Sequence, residues 1–392
     1  MFSKRIQQIA PSATLAMSQL AAEMKQQGID VINLSLGEPD FSTPKHICEA
    51  AKQAIDDGFT HYTTVDGLLS LREAITDKLL KENGLHYTPD QIIVGTGGKQ
   101  GIFNVIQVLV DEGDEVILPA PYWLSYPEMV KFAGGKNVVI KTTLENNYKL
   151  TAEQLENAIT DRTKLLILCS PSNPTGSVYS KLELQALAEV LRRHPEVYVL
   201  SDEIYEHISY CGKTYSIALE NDLNDRVIIA NGVSKAYAMT GWRIGWIAAN
   251  KEIIKACKKL QGQTTSNASA VAQKAAEAAY RGTQEPVEQM RQAFLKRREL
   301  VVRLASELPN VKFNNPDGAF YLMLDVSFYI GRQLGGKTMS SSADIVRYLL
   351  EKAYVTCVDG AAFGAEGTLR ISFATSENNL IEAFNRIKNA LS

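Results

Sequence analysis

Between residues 92 and 248 the chain alternates short apolar runs with helix-length amphipathic segments. Apolar or β-branched runs recur at 92–94, 115–118, 137–140, 165–169, 197–200, 226–230 and 244–248. Several are nearly continuous rather than alternating, the pattern of strands covered on both faces by helices. Helical periodicity is clearest at 101–110 and 182–191, long enough to cross over between parallel strands. The spacing predicts an α/β sheet, with the last, shorter run a candidate for antiparallel pairing.

The flanks read differently. Before the repeating region, residues 12–27 carry helical periodicity through Leu15, Leu20 and Met24, and Gly28 supplies a stop. A short strand follows at 31–34, then helices through Ala50, Ala54 and Ile55 and over 69–82, the latter ending near Asn83-Gly84. Beyond it, helices are predicted at 251–260 and 268–280, then a long basic helix at 286–308. The last third has strands at 318–324 and 368–373, helices at 343–352 and 380–391, and an exposed loop around Gly335-Gly336 and 340–342. This change of pattern marks a second, smaller domain.

Composition narrows the function classes. The chain has 392 residues, 45% hydrophobic and 22% charged, with 41 Lys and Arg against 44 Asp and Glu. That is enough for two domains, and a net charge of −3 gives no electrostatic basis for capturing nucleic acid or an anionic membrane. Arg291, Lys296, Arg297, Arg298 and Arg303 alternate with apolar residues along the long helix and read as its solvated face. Five scattered cysteines and five histidines show neither metal-site spacing nor an HExxH cluster. No run approaches the roughly 18 apolar residues of a membrane span. The N-terminal stretch is broken by Gln7, Gln8, Pro11, Ser12 and Thr14, unlike a signal peptide, so the cytoplasm is the expected compartment.

The candidate chemistry gathers after strands. Asp202 and Lys235 follow two predicted strands, where ligands bind in open α/β sheets. A nucleophilic lysine and a carboxylate for a pyridinium nitrogen are what an aldehyde cofactor needs, although an exposed lysine and a turn-forming aspartate are the ordinary alternatives. Gly95-Thr96-Gly97-Gly98-Lys99-Gln100 joins a strand to a helix and can offer N–H groups and a positive helix end to a phosphate. It is neither a Walker A motif nor GxGxxG. Ser234 and Arg243 can add a hydroxyl and a guanidinium to the same anion. Arg370, in an apolar strand-like run, must find an anion or reach solvent, and an internal Asp or Glu is the plainer partner than a substrate carboxylate. Trp123, beside Pro121-Tyr122, can stack on a flat ring or simply pack, and Tyr205 is equally open.

Together these segments resemble the aspartate aminotransferase family of fold-type I pyridoxal-phosphate enzymes, in particular the bacterial branch related to prephenate-using members. The landmarks, in order, are Pro11-Ser12-Ala13-Thr14, Gly37-Glu38-Pro39-Asp40-Phe41, Gly97-Gly98-Lys99-Gln100, Pro121-Tyr122-Trp123, Asn173-Pro174-Thr175-Gly176, Ser201-Asp202-Glu203-Ile204-Tyr205, Ser234-Lys235, Gly241-Trp242-Arg243-Ile244-Gly245 and Arg370-Ile371-Ser372-Phe373-Ala374. The resemblance covers nearly the whole chain. It implies a three-layer αβα fold with a mainly parallel seven-stranded sheet plus a smaller α/β domain. Residues 46–295 would form the large cofactor-binding domain, and 1–45 with 296–392 the small one.

The resemblance also implies roles. Lys235 would attach pyridoxal 5'-phosphate covalently and move the substrate proton, and Asp202 would hold the pyridine nitrogen. Asn173 and Tyr205 would contact the ring hydroxyl and Trp123 would stack on the ring. Backbone groups of Gly98, Lys99 and Gln100, with Ser234 and Arg243, would hold the phosphate, joined by Tyr62 from the neighbouring subunit of a homodimer. Arg370, Asn173 and the Gly37 backbone would bind the substrate α-carboxylate. The Lys99 side chain would pair with a side-chain carboxylate, in a pocket closed by Ser12 and Thr14. Aspartate and glutamate, with their 2-oxo acids, are the expected substrates, and the alternatives are a glutamate/aspartate-prephenate aminotransferase or a broader aromatic and dicarboxylic one. A regulatory protein on the same architecture would not need Lys235.

Overall fold

The computed structural model describes residues 2–392. A seven-stranded sheet runs in the order Ile92–Thr96, Ile244–Ala248, Val227–Gly232, Tyr198–Asp202, Thr163–Cys169, Glu115–Ala120, Lys136–Lys141. All neighbouring pairs are parallel except those of Ile244–Ala248, which is antiparallel to both of its partners. The continuous apolar runs are explained by alternate residues entering two separate cores. Ile117, Leu166, Leu168, Val199 and Ile229 pack against the helices Leu69–Lys78, Lys181–Arg193 and Ala270–Arg281. Val116, Leu118, Leu165, Ile167, Leu200 and Ile228 pack against Gly98–Leu109, Ser125–Ala133 and Lys251–Gly262. With both faces covered, no polar alternation survives. Lys136–Lys141, at one edge of the sheet, is only partly buried along its length.

A third core lies under the four-stranded antiparallel sheet Val358–Asp359, Thr368–Ser372, Tyr321–Asp325, Lys312–Phe313, and takes in the helices Ser342–Ala353 and Glu377–Leu391. The N-terminal segment joins it, since Ile32–Asn33 pairs parallel with Val355–Thr356. The long helix Glu285–Ser306 contributes Val287 to the first core and Phe294, Val301 and Ala305 to the third.

Two local predictions change. The α-helix beginning at Leu69 stops at Lys78 and continues as a five-residue π turn, Leu79–Asn83, closed by Gly84 at φ +72°. The loop around residue 335 is a hairpin in which Gln333–Leu334 pairs with Lys337–Thr338. Gly335 and Gly336, at φ +54° and +81°, adopt the left-handed pair a two-residue turn requires, which glycine does without steric cost.

Candidate active site

Strand direction assembles the site. Thr96, Cys169, Asp202 and Gly232 each end a strand pointing the same way, so their following loops meet at one edge of the sheet. Because Ile244–Ala248 runs oppositely, Arg243, just before it, arrives at that same edge. A cavity of about 400 Å³ opens there, within the range that takes a drug-sized ligand. Ser12, Thr14, Gly37, Gly98, Lys99, Trp123, Asn173, Asp202, Tyr205, Ser234, Lys235, Arg243 and Arg370 all line it.

Two expected residues do not line it. Gln100 donates its backbone N–H to Gly97 O at 3.1 Å, and its side-chain Oε1 accepts from Thr96 N at 2.5 Å. It therefore ties the strand end to the helix rather than facing the cavity. Tyr62 lies outside its own chain's cavity and is 91% exposed.

The helix Gly98–Leu109 begins with Gly97 at φ +80°, no side-chain cap and no acidic residue in its first turn, so its positive end faces the cavity. A Cβ on Gly97 would lie 2.4 Å from the Arg243 guanidinium, so glycine is what lets that cation lie against the turn. Arg243 itself donates to Thr240 O at 2.8 Å and pairs with no carboxylate among the described residues.

Lys235 Nζ donates to Gly37 O at 2.6 Å. Burial lowers its pKa to about 8, partly opposed by Glu38, so a neutral amine is accessible near neutral pH. Asp202 accepts from Tyr126 Oη at 2.6 Å and from Ile204 N at 3.3 Å. Burial raises its carboxyl to about 6. Lys99 is also pushed down, by burial and then by Arg243, and its Nζ lies 4.9 Å from the Trp123 ring centroid.

Arg370 is 1% exposed. Its guanidinium donates to Asn173 Oδ1 at 3.0 Å and Ser35 O at 2.6 Å, and sits 4.5 Å from the Tyr321 ring centroid. Its Nε has no partner, and among the described residues no carboxylate comes within ion-pair distance. The internal Asp or Glu that could have neutralised it is not there. A buried guanidinium with only neutral partners is costly unless an anion completes it. Lys99, Lys235, Arg243 and Arg370 thus face a cavity whose only carboxylates are Glu38 and Asp202.

A family model of class I and II aminotransferases matches residues 29–387. The chain belongs to that family. This aminotransferase is 47% identical to the aspartate/prephenate aminotransferase of Nitrosomonas europaea, covering 100% of this chain and 99% of the relative. It is also 47% identical to the aspartate aminotransferase of Bacillus sp. YM-2, over 99% and 98% of the two chains. Its structure is similar to the aspartate aminotransferase of Rhizobium meliloti, with a TM-score of 0.96 at 44% identity over 100% and 98% of the chains. It is similar, too, to that of Thermus thermophilus with maleate, with a TM-score of 0.94 at 42% identity over the whole of both. The protein is a pyridoxal-phosphate-dependent aminotransferase with the αβα fold of that family.

The aminotransferase site also contains residues that sequence reading passed over. Tyr126 stands one helical turn beyond Trp123 and packs edge-on to it, with centroids 5.2 Å apart, so i,i+3 spacing was the available signal. Tyr321, whose hydroxyl meets that of Tyr205 at 2.8 Å, arrives from the C-terminal sheet with no local signal. Glu38 accepts from Thr240 Oγ1 at 2.7 Å, and Leu15, Leu36 and Asn231 line the cavity as well.

Proposed function

We propose that this aminotransferase exchanges the amino group between L-aspartate and 2-oxoglutarate, giving oxaloacetate and L-glutamate. The observation that carries the reading is the pair of cations without carboxylate partners, Arg370 and Lys99, lining one cavity with Lys235. A dicarboxylate supplies an anion to each, and maleate, also a dicarboxylate, accompanies the similar Thermus structure.

The residues present suit pyridoxal 5'-phosphate. The uncapped helix start, Ser234 and Arg243 would cradle an anion, and the buried Asp202 would hold a ring N–H. Lys235 would hold the cofactor, with Asn173 and Tyr205 at its ring hydroxyl, Trp123 against its face, and backbone groups of Gly98 and Lys99 at the phosphate. Gln100's role is confined to the helix start, since its N–H is engaged. Bound there, the cofactor supplies the electron sink that makes the substrate Cα–H bond acidic. Arg370, Asn173 and the Gly37 backbone hold the α-carboxylate, and Lys99, with Ser12 and Thr14 beside it, holds the distal one. Lys235 Nζ accepts the Cα proton and returns it. The same reading takes residues 46–295 as the cofactor domain, 1–45 with 296–392 as the small domain, and a cytoplasmic homodimer in which Tyr62 serves the neighbouring site.

A second substrate is favoured by a specific feature. Leu15, 70% exposed, and Leu36, 36% exposed, line the cavity together with Ile102 and Leu124. A four-carbon acid leaves such apolar surface unused, whereas the ring of prephenate, named for the Nitrosomonas relative, would cover it. Borohydride reduction of the holoenzyme followed by peptide mapping tests the core of the reading. The pyridoxyl mass is expected on Lys235, and a label on any other lysine refutes it. Steady-state rates with aspartate, glutamate, alanine and the pair glutamate plus prephenate then define the substrate range.

A further inference from the structure

Glu206 lies just beyond Asp202 and Tyr205, outside the cavity, and is 9% exposed. Its Oε1 accepts from Lys78 Nζ and, at 2.6 Å, from Asn231 Nδ2, and its Oε2 accepts from Asn83 Nδ2 at 2.7 Å. Lys78 Nζ also donates to Asn83 Oδ1 at 2.8 Å, closing a ring of three side chains. Lys78 and Asn83 are five positions apart, which on an α-helix places them about 140° apart around the axis. The π turn Leu79–Asn83 is wider, and this returns both to one face. The irregular turn is therefore the local device that brings two donors to one buried carboxylate. Other titratable groups facing the ring are Glu82, 3.5 Å from Lys78 Nζ, His207, whose Nδ1 is 3.8 Å from Glu206 and whose Nε2 meets Glu82 at 2.8 Å, and, further off, Glu203, Tyr237 and Tyr280, each raised in part by the Glu206 charge.

The third donor points towards the chemistry. Asn231 is the penultimate residue of Val227–Gly232, and its Oδ1 accepts from Gly232 N at 2.7 Å, just before Ser234 and Lys235. A Cβ on Gly232 would lie 2.7 Å from Gly245 Cα, and one on Gly245 would lie 2.1 Å from Gly98 N. Three glycines thus stack backbone against backbone from the strand that leads to Lys235 to the helix start that faces the cavity. Any tilt at Asn231 and Gly232 changes the separation of that lysine from the anion cradle. Lys78 and Glu206 need neither Asn231 nor this stack to neutralise each other.

We propose that Glu206 is a positioning residue: through Asn231 it sets where Lys235 stands relative to the start of the helix Gly98–Leu109, while Lys78 and the π turn hold the carboxylate in place. This rests on the roles given to Lys235 and Gly98 under the proposed function. Glu206→Met retains the length of the side chain but removes both acceptor oxygens, so the clamp opens. Lys78→Met/Glu206→Met opens it without leaving an unpaired lysine, and Asn231→Ala opens it with the ion pair intact.

The test uses the three holoenzymes and wild type, each normalised to bound cofactor. It measures kcat and KM for L-aspartate, the pH midpoint of the bound cofactor's visible absorbance, and the thermal midpoint. In the double variant kcat is expected to fall by about tenfold or more while KM for aspartate stays within about threefold, because geometry and not binding is altered. The absorbance midpoint is expected to move, since the surroundings of Lys235 change, and the thermal midpoint to stand above that of Glu206→Met. A wild-type kcat, or an unmoved absorbance midpoint, in the double variant overturns the proposal and leaves Glu206 a structural ion-pair partner. If neither pair variant folds, Asn231→Ala decides on the same two readings. Borohydride mapping of the wild type is independent of all these variants, so a failure there rejects the site reading rather than the clamp.

Discussion

Arg370 and Lys78 are buried to similar degrees, at 1% and 4% exposure, yet their surroundings are opposite. Lys78 meets a carboxylate, an amide oxygen and, further off, a second carboxylate, all from its own chain. Arg370 meets only an amide oxygen and a backbone carbonyl, and one of its nitrogens has no partner. The carboxylates of the two regions differ in the same way. Burial raises Asp202 against the Tyr126 hydroxyl, the Ile204 N–H and, more weakly, Lys235, whereas Lys78 and then His207 hold Glu206 well below the usual range despite burial. A buried charge completed within the chain supports the scaffold, and one left incomplete is kept for a ligand.

The largest expected effect breaks this comparison directly. Lys78→Met strands the Glu206 carboxylate and should lower the unfolding free energy by about 3–5 kcal/mol, read by urea titration of the apoprotein. Arg370→Met strands no buried charge, only the neutral acceptors Asn173 Oδ1 and Ser35 O, so its apoprotein should lose clearly less stability than Lys78→Met, while kcat/KM falls for every amino acid by two or more powers of ten. A strongly destabilised Arg370→Met protein would show that the guanidinium serves the fold after all.

A smaller effect separates the two cations inside the cavity. Lys99→Ala should reduce kcat/KM for aspartate and glutamate by about one to two powers of ten, the loss of a charge-assisted contact of roughly 1.5–3 kcal/mol. Its kcat/KM for alanine should change little, because alanine has no distal carboxylate. A uniform fall across all three substrates would assign Lys99 to the cofactor instead.

The smallest effect is a difference in sign with pH. Asp202 is raised to about 6 from 3.8, so between those values the folded apoprotein binds a proton that the unfolded chain has released. Its contribution to stability is present below pH 3.8 and lost as pH rises through 6. Glu206 is lowered, so its contribution is present above pH 4.5 and lost as pH falls below it. Denaturant unfolding across this range should show Asp202→Asn gaining on wild type by roughly 1–3 kcal/mol between pH 4 and 7. Lys78→Met/Glu206→Met should lack part of the wild-type loss in acid. Parallel curves for the two variants would erase the distinction between the regions.

Much of this architecture is local information. Apolar runs such as 165–169 and 226–230 identify buried strands because alternate residues feed two helix-covered cores, and the glycines before Lys99 announce a turn into a helix start. Lys235, Asp202 and Gly98 were legible because they follow strands, and all strands but one end at the same edge. Tertiary structure alone decided what the charges are for. Whether Arg370 meets an internal carboxylate depends on Asn173 and Ser35, far away in sequence, and Glu206 finds Asn83 beside Lys78 only because a π turn replaces the expected last turn of a helix. Sequence periodicity reports which face of an element is buried, a property of neighbours three or four positions apart. The completion of a buried charge depends on which distant side chains reach it, and that is settled only when the strands and helices have packed.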